Sequence, residues 1–246
     1  AAQTQVVTED RRGHSPGLQP TANVLATEET ATTLTVRGVD FRLVFDRLAG
    51  TLGAWEYMGT PLILSGPRLN LWRAPTDNDK HMKVQWMAAG LDRMQHRINE
   101  VRVVSREADC VTLSVESVLA ACSLRPAFRC GYLYRIFAGG DVVIETHVTP
   151  LPQPTPIPHI PRLGLQMRLP GALDRIAWYG RGPHENYVDR RESAFVGLWR
   201  GTVQEQFVNY VYPQENGNKT DVRWAALTDV RGVGLLAAGM PLLNVS

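Results

Sequence analysis

The sequence predicts an all-β protein, two large antiparallel sheets packed face to face, with a single helix near residues 79–94. Three observations lead there. About a dozen short runs alternate apolar and polar residues with period two, which sends successive side chains to opposite faces of a strand. The 21 glycines and 16 prolines gather between those runs, where turns are needed. Only one stretch shows the three-and-four spacing of a helix. No fixed-period repeat is present, which argues against a propeller or a solenoid.

The elements follow in order. Residues 1–28 are polar and aperiodic, and the chain opens on AAQTQ. They are read as a linker or arm from an upstream domain, with 29–246 as the β domain. Leu34 and Val36 alternate with Thr33, Thr35 and Arg37. A turn at Gly38-Val39-Asp40 then leads to Phe41, Leu43 and Phe45 on one face, a hairpin pattern. Short strands are expected at 52–57 and 62–64, and another closes at 69–71. The polar turn Thr76-Asp77-Asn78-Asp79 precedes the helix, whose apolar stripe is Val84, Met87, Leu91 and Met94. Gly90 weakens that helix by roughly 1 kcal/mol against alanine.

Strands resume at 111–115, then at 132–137 and 142–148 around the turn Ala138-Gly139-Gly140-Asp141. The proline-rich run at 149–158 lacks the amide hydrogens of a ladder and is expected as an extended crossing. Leu163, Leu165, Met167 and Leu169 against Gly164, Gln166 and Arg168 form the cleanest alternation in the chain. Strands at 174–179, 203–212, 222–227 and 233–238 follow, with a short helical turn near 190–194.

Composition narrows the function classes. The 246 residues are 44% hydrophobic and 20% charged with a net charge of +2, and no basic tract offers an electrostatic footprint for nucleic acid. Cys110, Cys122 and Cys130 are odd in number and lack CxxC spacing, so free, mostly buried thiols in a reducing compartment are expected. Neither a leader pattern nor a run of about 18 apolar residues occurs. The expectation is a cytoplasmic protein without membrane partners.

Chemistry-bearing residues concentrate in WYGRGPHENYVDR, residues 178–190. Trp178 and Tyr179 end a strand and have planar faces that suit a pyranose, although core or rim packing is the preferred role for such residues. His184, Glu185, Asn186 and Tyr187 then follow on a loop broken by Gly180, Gly182 and Pro183. Glu185 and Asp189 are acidic, but paired glycosidase carboxylates stand about 5–9 Å apart across a scissile bond and come from separate elements. Salt bridges with Arg181, Arg190 or Arg191, or contact with substrate or an interface, are the preferred roles. His184 is open to a sugar hydroxyl, a partner backbone or its own loop. A second segment, Tyr210 to Asn218, repeats the grammar with Glu215 and Asn216, and the two loops are expected to make one surface. Asp77, Asn78 and Asp79 offer hard oxygens for a cation, a helix cap or substrate.

LWRAPTDND (71–79), WYGRGPHENYVDR (178–190) and YVYPQENGNKTDVRW (210–224) resemble the signature blocks of the C-terminal small-chain domain of the glycoside hydrolase family 2 β-galactosidases, over about residues 30–246. The resemblance implies a β-supersandwich of the galactose mutarotase-like kind, incomplete at its C-terminal end. It also implies a parent enzyme that is a retaining hydrolase of terminal β-D-galactosides, as in lactose catabolism. That family's two catalytic glutamates come from a separate (β/α)₈ barrel, so the resemblance gives neither Glu185 nor Glu215 a catalytic role. No cofactor is implied for this chain, with Mg²⁺ and Na⁺ belonging to the parent enzyme. The implied partners are the remaining domains, a galactoside at a shared site and further copies in a homo-oligomer. A non-catalytic carbohydrate-binding or assembly module stands as an alternative. So does an aldose 1-epimerase using His184 with Glu185 or Glu215.

Overall fold

In the computed structural model, the described residues are 24–154, 157 and 159–246. The expected linker at 1–28 lies outside them up to position 23, and a strand already occupies Ala26–Glu29. Among the described residues the chain is all-β and antiparallel with one α-helix. It holds fifteen strands among the described residues, hydrogen-bonded into four sheets rather than two large ones. They divide into two compact units. One takes in the described residues up to Arg73 and Asn78–Leu169, the other Ala74–Asp77 and Pro170–Ser246.

The first unit opens with a meander of β1 (Ala26–Glu29), β2 (Thr33–Arg37), β3 (Phe41–Asp46), β4 (Thr51–Tyr57) and β5 (Thr60–Pro61). The predicted hairpin is in place, with Leu34 opposite Phe45 and Val36 opposite Leu43. Strand β6 (Ser65–Asn70) and helix α1 (Met82–Ala88) follow. A second meander consists of β7 (Met94–Arg106), β8 (Cys110–Ala121), β9 (Phe128–Phe137) and β10 (Val142–Pro150), and β11 (Gly164–Arg168) pairs back to β6. The core joins the two meanders. Leu34, Val36, Leu43 and Phe45 are buried on one side, and Val111, Leu113, Val115, Tyr134 and Ile136 on the other. Phe45 meets Tyr134 edge to face with ring centroids 5.1 Å apart. The second unit is a single sheet of β12 (Arg175–Gly182), β13 (Phe195–Thr202), β14 (Lys219–Thr228) and β15 (Gly234–Val245), ordered β13-β12-β14-β15.

Several expectations change. The helix is seven residues long because Gly90 takes a left-handed conformation (φ 73°) and starts a 3₁₀ turn at Leu91–Arg93. Its buried residue is Trp86, 2% exposed, while Val84 and Met87 of the predicted stripe are 65% and 48% exposed and Leu91, in the 3₁₀ turn, is buried as expected. Strand β7 escapes the pattern reading because bulges between Ile98 and Glu100 and between Val103 and Ser105 interrupt the alternation. Residues 62–64 are irregular although Leu62 and Ile63 are buried, and 203–212 hold a 3₁₀ turn at Gln204–Gln206 instead of a strand. The 190–194 segment is a turn closed by the Ala194 N–H on the Arg191 carbonyl at 3.0 Å. All three cysteines are free, but only Cys130 is buried.

Candidate functional site

Strand β12 sends Trp178 and Tyr179 to opposite faces. Trp178 is buried in the core of the second unit with Val222 and Ala225, flanked by Ile176, Trp199, Leu243 and Val245. Its indole N–H donates to the Arg181 carbonyl at 2.9 Å. It is therefore a packing residue and not an open platform for a sugar. Tyr179 is on the exposed side, with the Arg223 guanidinium 5.4 Å from its ring centre. Gly180 is where β12 comes close to β14, since a Cβ there would lie 2.8 Å from the Cα of Val222.

Beyond the cis Gly182–Pro183 peptide the loop turns inward and docks on the start of β14. Asn186 is fully buried and uses all of its polar groups. Its main-chain N–H donates to the Asn218 carbonyl (2.8 Å) and its carbonyl accepts from Asn218 Nδ2 (2.7 Å). Its side-chain Nδ2 donates to the His184 carbonyl (3.0 Å), while Oδ1 accepts from Thr220 N–H (2.9 Å) and Thr220 Oγ1 (2.5 Å). A buried asparagine so fully satisfied fixes register between two segments more than thirty residues apart in sequence.

Glu185 makes the second clasp. Its side chain is only 8% exposed. Oε1 accepts from Arg190 Nη2 at 2.7 Å and from the Tyr210 hydroxyl, and Oε2 accepts from the Gly217 N–H at 2.8 Å. Lys219 is buried nearby, its Nζ donating to the Gly217 carbonyl at 3.0 Å and lying 5.3 Å from the Trp178 ring centre. Burial holds its pKa below the ordinary lysine value, with the Glu185 charge acting in the other direction. Tyr187 lies under the Arg190 guanidinium at 5.3 Å. Its hydroxyl is sealed from solvent beside the Asn218 backbone without a hydrogen bond of good geometry. Burial, then the Glu185 and Glu215 charges, raise its pKa.

A third clasp holds the loop's far end. Arg181 Nε donates to Asp221 Oδ2 at 2.6 Å and its Nη1 to the Ala194 carbonyl at 2.8 Å, while Arg191 Nη1 reaches Asp221 Oδ1 at 3.1 Å. His184 is exposed, with Nε2 hydrogen-bonded to Ser193 Oγ at 3.0 Å, so it ties the loop to itself. Asn216 donates to the Gln214 carbonyl at 3.5 Å, and Glu215 is half-buried in the same segment. The two loops meet through Tyr210 and through Gly217 to Asp221, and the Glu215 charge acts on Tyr187. Sequence reasoning missed Thr220, Lys219 and Asp221. The available signal was a polar Lys-Thr-Asp triplet at the very start of an apolar strand.

Asp77, Asn78 and Asp79 form a 3₁₀ turn. The N-cap of α1 is His81, with no side-chain cap, so none of the three caps the helix. Asp79 is buried and pairs with Arg73 at 2.8 Å, and the Asp77 N–H donates to Gln214 Oε1 at 3.1 Å. Among the described residues no group of three or more His, Cys, Asp or Glu side chains is gathered to hold a metal ion, and no helix is long and apolar enough to cross a membrane.

A family model described as "Beta galactosidase small chain" matches residues 37–246. A Beta-galactosidase of Priestia megaterium is 36% identical over 236 residues, covering 94% of this chain and 22% of that protein. One of Vibrio cholerae is 36% identical over 193 residues, 73% of this chain and 18% of its own length. Another, of Halalkalibacterium halodurans, is 31% identical over 216 residues, 81% of this chain and 20% of that protein. The chain thus spans about a fifth of the length of the relatives it matches.

Proposed function

Because the chain belongs to the β-galactosidase small-chain family, we propose that it is part of a larger retaining enzyme that hydrolyses terminal β-D-galactosides. Its part is to brace the rim of a site whose catalytic carboxylates lie elsewhere in that polypeptide. The observation that carries this reading is the state of Glu185. A general acid or nucleophile needs a carboxylate that can reach substrate. Glu185 instead has Arg190, Tyr210 and Gly217 as donors, which makes it an anchor for the loop. Asp189 is exposed on the same loop. The same commitments disfavour an epimerase built on His184 and Glu185.

On this reading the braced loops present Tyr179, His184 and the exposed edge of Arg190 toward substrate or a neighbouring domain. The partners are the remaining domains of the enzyme, a galactoside and further copies of the enzyme, in the cytoplasm. Mg²⁺ and Na⁺ belong to the parent site.

The test is hydrolysis of a chromogenic galactoside by the purified chain, alone and joined to the remainder of its polypeptide. The chain alone should be inactive and the joined enzyme active. Robust turnover by the chain alone would overturn the proposal. In the joined enzyme Glu185→Gln should keep kcat within about threefold. A loss of 10²–10⁴-fold, the size of an acid–base contribution, would instead make Glu185 catalytic.

A further inference from the structure

The β7–β10 sheet buries one face against the β1–β5 meander and leaves the other open. On the open face Glu116 of β8, Gly131 of β9 and His147 of β10 stand in one cross-strand row, with Arg129 and Thr149 in the next. These five residues line a hollow of about 340 Å³.

Two features set it apart from an ordinary solvated sheet face. The first is Gly131, in the middle of a ten-residue strand. Glycine there weakens a strand and commonly marks the close approach of another group. A Cβ at this position would sit 3.2 Å from Glu116 Oε1. The missing side chain therefore gives the hollow a backbone floor and lets the carboxylate reach over it. The second is that the Glu116, Arg129 and His147 side chains have no hydrogen bond or ion pair among the described residues. On the same face Arg135 and Glu145 do pair, at 2.6 Å, so the geometry of the sheet does not forbid it.

We propose that this hollow binds a single sugar residue. The carboxylate and guanidinium balance in charge, so neither a free anion nor a free cation gains much from entering. A neutral ligand with several hydroxyls gains most. Glu116 accepts from neighbouring hydroxyls, Arg129 donates, and His147 and Thr149 can do either. Glu116 and His147 are two strand spacings apart, about 9.6 Å between backbones, which leaves room for one pyranose beside the Glu116 carboxylate, toward His147 and Thr149. The volume is at the small end for ligand pockets. No aromatic ring lines the hollow, which sets the affinity in the millimolar range, about −4 kcal/mol.

The test is saturation-transfer NMR on the full chain with methyl β-galactoside and methyl β-glucoside, and with phosphate and Mg²⁺ as ionic probes. The expected result is saturable sugar binding at millimolar Kd. Glu116→Gln or Arg129→Gln should weaken it about tenfold and Gly131→Val should abolish it. Both polar residues are exposed, so their replacements should leave the thermal midpoint unchanged, and they test the site even if Gly131→Val fails to fold. No saturable signal up to about 100 mM sugar, unchanged binding in the Glu116→Gln, Arg129→Gln double variant, or phosphate or Mg²⁺ occupying the hollow in place of sugar would each overturn the proposal. Galactoside hydrolysis by the joined enzyme is read separately and does not depend on the outcome.

Discussion

Replacing Asn186 with alanine removes a buried side chain and strands the groups it serves. The two backbone-mediated contacts to Asn218 do not need the side chain and should survive. The His184 carbonyl belongs to an exposed residue and can turn to water. Thr220 is buried, so its N–H and Oγ1 are left without the shared acceptor. Each stranded buried group costs about 1–3 kcal/mol. Allowing the hydroxyl to rotate toward another partner, the total falls at about 2–4 kcal/mol.

The chain has two compact units, so a single unfolding free energy is not assured. Amide hydrogen exchange reads the local opening directly. At 1.4 kcal/mol per decade, the Thr220 amide should exchange about 30- to 700-fold faster. Asn186→Asp keeps an acceptor for Thr220 but turns an oxygen toward the His184 carbonyl, and should fall between wild type and alanine. Val188→Ala, in the same loop but exposed, should change nothing beyond about 0.5 kcal/mol. Thr220 protection within threefold of wild type in Asn186→Ala would refute the idea that this residue locks the loop to β14.

The remaining expectations concern the helix and the alkaline limb. Trp86→Ala should destabilise the first unit by about 3–5 kcal/mol, whereas Val84→Glu on the exposed side should stay within about 0.5 kcal/mol; urea midpoints that reverse this order would restore the originally expected stripe. Burial, helped by the Glu116 charge, pushes the Cys130 thiol from its ordinary 9.0 to about 12, and burial pushes the Tyr134 hydroxyl from 10.0 to about 12. Acids raised on folding contribute stability that is whole below the unfolded value and fades toward the folded one. Urea midpoints should therefore fall as pH rises from about 9 to about 12, with Lys219 opposing weakly because raising the pH relieves its burial. Cys130→Val should shrink the fall that begins near pH 9, with Cys110, also raised by burial, still contributing there, and a flat profile between pH 9 and 11 in the unmodified chain would contradict this account.

The fold was legible wherever alternation was uninterrupted. Strands β3 and β9 carry a clean period of two because one face meets the core along the whole strand, and β8 keeps it from Cys110 to Glu116. It failed at β7, where two bulges shift the pattern, and at α1. There Gly90 ends the helix early, and Trp86 turns to the core while Val84 and Met87 of the expected stripe face out. The best alternation of all, in β11, shows what periodicity cannot say. Leu163 and Leu165 are 61% and 40% exposed in this chain. The pattern specifies an apolar face, not what covers it.

The loop cluster shows the same limit in chemical form. Sequence put Trp178, Tyr179, His184, Glu185, Asn186 and Tyr187 together as groups able to touch a sugar or an interface. Which of them remains free depends on partners some thirty residues away. Trp178 goes to the core because β12 alternates and its even-numbered face is the covered one. Asn186 and Glu185 are taken up by Thr220, Asn218 and Gly217, residues whose role is invisible without the β12–β14 pairing. That pairing is fixed by Trp178 opposite Ala225 and Tyr179 opposite Trp224. The hydrophobic register of two strands thus decides which polar side chains are consumed in bracing the loop and leaves Tyr179 and His184 at its surface.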